Sequence, residues 1–141
     1  MTDVAIIQNW PKFRAFIIEF LQKHNINQRD ITRLLISCEE IFTNICKYAY
    51  SHSKKTGNIS IELAQNNNIV EVKFVDSGVK FDPTGIPIAD VTRPVHERKI
   101  GGLGLYIVRK FVDNIQYKYL NNCNILILTK KINDLDNFKE E

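Results

Sequence analysis

Apolar residues recur along the chain with two periods, and the switch between them marks out the elements. After Pro11, residues Phe13, Phe16, Ile17, Phe20 and Leu21 return every three or four positions. This predicts a helix to about His24 with one apolar face and a proline suited to its first turn. The apolar run Val4 to Ile7 before it predicts an edge strand, ended by Asn9-Trp10-Pro11. Asn25-Ile26-Asn27 breaks the helical period, and Asn27 followed three residues later by Asp30 predicts a new helix start. From Gln28 to Tyr50, at about 100° per residue, Ile31, Leu34, Leu35, Cys38, Phe42, Ile45 and Ala49 share a stripe, while Glu40, Asn44 and Lys47 gather on the opposite side. That polar side reads either as a solvated face or as the wall of a site, with Glu40 and Asn44 one turn apart.

The period then shortens to two. Ile59 to Leu63 and Ile69 to Val75 alternate as strands and predict a hairpin around Gln65-Asn66-Asn67-Asn68. The second strand runs into Asp76-Ser77-Gly78-Val79-Lys80-Phe81-Asp82-Pro83, a turn-rich segment at a strand end, where α/β folds commonly bind ligands. Thr84 to Lys99 has two prolines, mixed charges and no period, which predicts a lid or binding loop, or a disordered stretch, more than an idle link. Ile100-Gly101-Gly102-Leu103-Gly104-Leu105 leads into a helix from about Leu103 to about Asp113. Glycines there suit either a tight turn or a backbone that approaches a phosphate at a helix N-terminus. Ile115 to Leu120 and Ile125 to Lys130 predict a second hairpin around Asn121-Asn122-Cys123-Asn124, and Asn133 to Glu141 a charged tail.

Composition narrows the class. At 141 residues, with 44% hydrophobic and 25% charged content, the chain fits one soluble globular domain, residues 1–141, with no apolar stretch near the ~20 residues of a membrane span. Met1-Thr2-Asp3-Val4 lacks a secretory pattern, which predicts a cytoplasmic protein. Cys38, Cys46 and Cys123 form no Cys-x-x-Cys pair and are expected as reduced thiols. A net charge of +3 without a basic stripe argues against direct nucleic-acid binding.

Three stretches, in order, share one pattern. Glu40-x-x-x-Asn44 on a helix, Asp76-x-Gly78 after a strand and Gly101-Gly102-Leu103-Gly104-Leu105 opening a helix resemble the nucleotide-binding boxes of the ATPase superfamily of gyrase, MutL and sensor histidine kinases. Glu40-Ile41-Phe42-Thr43-Asn44-Ile45 and Glu97-Arg98-Lys99-Ile100-Gly101 resemble its stand-alone anti-sigma-factor serine kinases of bacterial partner switching. The resemblance implies an α/β two-layer sandwich, a mixed, largely antiparallel sheet with helices on one face, and a lid at about residues 84–99. It implies ATP and Mg²⁺ as cofactors, with Asn44 on the magnesium, Asp76 on the adenine amino group, and Gly78 letting the base lie close. Gly101, Gly102, Leu103, Gly104 and Leu105 would cradle the phosphates, Lys47 would join the nucleotide site, and Glu40 would be the general base. Arg98 is the candidate for the γ-phosphate by charge and position, with Arg93 and Lys99 as alternatives. The implied partners are an anti-anti-sigma-like protein substrate and a sigma factor or other regulatory protein, and a homodimer is left open. The alternative function is a nucleotide-gated binding module with little or no kinase activity. Tyr48-Ala49 departs from the His-Gly of some relatives, and no phosphoacceptor-histidine region precedes the boxes.

Overall fold

A computed structural model of the chain describes residues 1–85 and 102–132. Five strands, β1 (Thr2–Val4), β2 (Asn58–Asn66), β3 (Ile69–Asp76), β4 (Asn114–Leu120) and β5 (Cys123–Lys131), form one sheet in the order β1-β2-β3-β5-β4. Every described pair is antiparallel, so the expected mixed sheet lies at the antiparallel extreme. Three helices, α1 (Trp10–Lys23), α2 (Gln28–Tyr48) and α3 (Gly102–Phe111), share one core with one face of the sheet. The alternation explains why: Ile59, Ile61, Val70, Val72, Phe74, Leu126 and Leu128 point into that core and are buried. From the helices come Phe13, Ile17 and Leu21 of α1, Leu34, Cys38, Ile41 and Phe42 of α2, and Leu105 and Val108 of α3. Phe42 lies 5.3 Å from Trp10 and 5.1 Å from Phe13, ring centre to ring centre, which seats α1 on α2. No described helix is long and apolar enough to cross a membrane.

The elements begin where local chemistry says they should. Asn27 caps α2, its side-chain oxygen accepting from the Asp30 N–H at 2.8 Å while its amide donates back to the Asp30 carboxylate at 2.8 Å. Asn25 closes α1 in the left-handed region, φ 56°, with Ile26 N–H bonded to Leu21 O and Asn25 N–H to Gln22 O. The N-terminal strand differs from expectation, covering Thr2–Val4 instead of Val4 to Ile7. Asn9 Nδ2 and Ile6 N–H both take the Val4 carbonyl at 2.9 Å and turn the chain into a short 3₁₀ segment, Ile7–Asn9. Both hairpin turns are tighter than the polar runs predicted. Asn121 (φ 52°) and Asn122 (φ 60°) are the entire second loop, because asparagine tolerates positive φ twice in succession and Cys123 already pairs with Leu120. Asn67-Asn68 forms the first.

Candidate functional site

The exit of β3, the last turn of α2, the start of α3 and the β4–β5 hairpin meet around a cavity of about 350 Å³. Its walls are mostly apolar: Ile41 and Ile45 from α2, Val79, Phe81 and Pro83 after β3, Leu105 of α3 and Leu126 of β5. The polar groups are few. Asn44, Asp76, Tyr117 and Asn124 line it, with Ser51 and His52 towards the loop after α2.

Asp76 ends β3 on the inward side of the alternation, which is why a strand-end acid is 6% exposed. Its Oδ1 accepts from Gly78 N–H at 2.9 Å and from Asn124 Nδ2 at 3.0 Å. Both bonds fall on Oδ1; among the described residues Oδ2 takes none. Burial pushes the carboxyl above its usual value, and the Asn124 and Gly78 donors oppose that rise. Beyond Asp76, the chain folds against α2. Val79 N–H donates to the Ala49 carbonyl at 2.8 Å, and a Cβ on Gly78 would lie 2.1 Å from that same carbonyl oxygen. Glycine is required at 78 by the helix backbone. Gly78 faces Ala49, so the helix end makes its own demand on this position beside the expected close approach of a base.

Of the predicted polar face of α2, Asn44 reaches the cavity and is half-buried. Glu40, one turn earlier, is half-buried but does not line it, and Lys47 is exposed in the last turn and also lies off the lining. Leu105 is a buried wall residue. Gly102, Leu103 and Gly104 open α3, while Gly101, Arg98, Arg93 and Lys99 lie outside the described residues, as does the predicted lid beyond residue 85. At the near end of that segment, Asp82 Oδ1 accepts from Thr84 N–H at 2.9 Å and Arg109 of α3 donates to the Thr84 carbonyl at 3.0 Å.

Two residues that the sequence reading passed over hold the site together. The helical period runs on to Tyr50, but the Tyr50 hydroxyl donates to Asn58 O at 2.6 Å and accepts from Ser77 N–H at 2.9 Å, so the helix stops at Tyr48 and its end is tied to β2 and β3. The run Asn121-Asn122-Cys123-Asn124 reads as a turn, yet Asn124 is the inward partner of Asp76 across β3 and β5 and is 7% exposed. The available signal was the alternation itself, since Asn124, Leu126 and Leu128 occupy one face. The three cysteines are free, and burial pushes Cys38 up to about 12 and Cys46 up to about 11, which keeps both as thiols.

Residues 5–130 match the family described as histidine kinase-like ATPase domain. Among curated relatives, the chain is 32% identical over 107 residues to "Serine-protein kinase RsbW" of Bacillus thuringiensis (strain Al Hakam) and, equally, to that of Bacillus cereus (strain AH820). The match covers 73% of this chain and 65% of theirs, so the chain spans about two thirds of the length of these relatives. Among solved structures, the RsbU and RsbW domains of a Mycobacterium tuberculosis protein superpose with a TM-score of 0.61 at 16% identity, covering 94% of this chain and 32% of that one. That likeness is one of fold.

Proposed function

The chain belongs to the histidine kinase-like ATPase domain family, and we propose that it is an ATP-dependent serine kinase of the anti-sigma type. In this reading it phosphorylates a small antagonist protein and sequesters a sigma factor in the cytoplasm, as one domain with residues 84–99 as its lid. The observation that carries it is an apolar cavity lined by Asp76, whose Oδ2 takes no hydrogen bond among the described residues. A flat base fits apolar walls, and its exocyclic amine needs an acceptor.

The rest of the lining is compatible with a nucleotide. Among the described residues no three His, Cys, Asp or Glu side chains gather as a metal cage. Magnesium needs none: an amide oxygen such as that of Asn44 can hold it together with phosphate oxygens and water. The glycines of 101–104 precede or open α3, whose first N–H groups and positive dipole end suit phosphate. Arg98 is proposed to meet the γ-phosphate and Lys47 to contribute charge beside it. Bound ATP supplies the transferable phosphoryl group. Glu40 would accept the proton of the attacking serine hydroxyl as the Oγ–P bond forms and the bond to the ADP oxygen breaks.

A nucleotide-gated binding module with little or no phosphotransfer is the second reading. It is favoured by the position of Glu40, off the cavity that Asn44 and Asp76 line. Incubation with labelled ATP and proteins encoded by neighbouring genes separates the two: phosphoserine on a partner supports the kinase. ATP-dependent capture of a partner without any phosphoserine supports the module.

A further inference from the structure

We infer that Asn124 is the positioning residue through which the cavity selects a purine, holding Asp76 as an oriented acceptor so that a 6-amino base is taken and a 6-oxo base refused. This rests on the nucleotide reading above. The geometry is that of an amide with all four hydrogen-bonding positions filled. Nδ2 donates to Asp76 Oδ1 at 3.0 Å and to the Val79 carbonyl at 2.9 Å, while Oδ1 accepts from Phe81 N–H at 3.1 Å and from the Tyr117 hydroxyl at 2.6 Å. The orientation follows from the partners. A backbone N–H can only donate and a backbone carbonyl can only accept, so turning the amide over would break both the Phe81 and the Val79 bonds.

The N–H facing Asp76 is therefore fixed. With the Gly78 N–H on the same oxygen, Asp76 Oδ1 carries two donors, the carboxylate plane is set, and Oδ2 is the oxygen left for a ligand. An ionised Oδ2 accepts from a 6-amino group. A proton on it would make it a donor, the match for a 6-oxo group. The two N–H donors stabilise the ionised form against the burial that opposes it. The same amide ties Val79 and Phe81, both cavity walls, to β5, so one side chain sets the wall and the reading group together.

The test is calorimetric titration of ATP and of inosine triphosphate, whose base has a 6-oxo group and an N1–H in place of the 6-amino group and bare N1, into wild type and Asn124→Asp, each with a thermal melt. Asn124→Asp keeps the shape but replaces the donors by an acceptor facing Asp76, so the two carboxyls must share a proton. Wild type is expected to prefer ATP by about a hundredfold or more, and Asn124→Asp to shrink that ratio at least tenfold. If Asn124→Asp does not fold, Asn124→Ser, too short to reach Asp76, carries the same expectation. A folded Asn124 variant with weaker ATP binding but the wild-type ratio would overturn the inference and leave the nucleotide reading standing. Wild type that binds neither nucleotide would overturn both.

Discussion

Asp76 is subject to opposed demands. Its folded carboxyl value lies above the unfolded one because of burial, so its contribution to stability is full below the unfolded value and is lost as pH rises through the folded value. Acidification from neutrality thus relieves the fold of a buried charge while removing the acceptor that an adenine amine needs. Asp76→Asn should consequently fold with a melting temperature no lower than wild type at pH 7, since an amide oxygen can still accept from Gly78 and Asn124, yet lose ATP affinity in calorimetry because its free edge now donates. ATP affinity should also fall as pH drops through the raised carboxyl value. A flat acid limb would remove Asp76 from the base. Glu40 makes a separate demand. Glu40→Gln should retain ATP affinity but slow single-turnover transfer to a serine-bearing partner by roughly 100- to 10,000-fold; transfer at the wild-type rate would assign the proton to another group.

At the scale of elements, α2 carries the site, and its two ends were legible to different degrees. Its start is set by Asn27 and Asp30, three residues apart, so a short window of sequence suffices. Asn27→Ala should cost about 1 kcal/mol in urea unfolding. Its end depends on Tyr50 reaching Asn58 and Ser77 and on Gly78 pressing against Ala49, contacts that no local period reveals. Gly78→Ala must displace either the helix end or the β3 exit, and should cost about 1 to 3 kcal/mol while also weakening ATP binding, because Val79 and Phe81 move with it. A variant with wild-type stability would show that the two segments part easily. The hairpins were legible as hairpins, but their turns were drawn too long, since a run of asparagines reads as loop whether or not its outer members pair.

For the whole molecule, alternation and helical stripes marked out the strands and helices, while the two-layer arrangement and the expected roles of Asn44 and Asp76 came with the resemblance that their motifs carry. Asn124 did not, because its meaning comes from the register that sets it opposite Asp76, 48 residues away in the chain. Two ion pairs have the same origin: the half-buried Lys130 of β5 lies 3.8 Å from the buried Asp30 at the start of α2 and 4.0 Å from the exposed Asp113 after α3. Both features belong to β5, the last described strand, which inserts between β3 and β4 instead of adding at an edge. During synthesis, then, the chain leaves the ribosome with β3 unpaired on one side, an apolar strand open to any passing edge, until the final hairpin arrives. In the nucleotide reading, ligand would offer no help in that interval, because Asn124, the partner that orients Asp76, arrives with the same strand that closes the sheet. Ligand binding would in this sense be a certificate of completed folding: a chain interrupted before β5 exposes its interior and would have no means of being rescued by its own ligand.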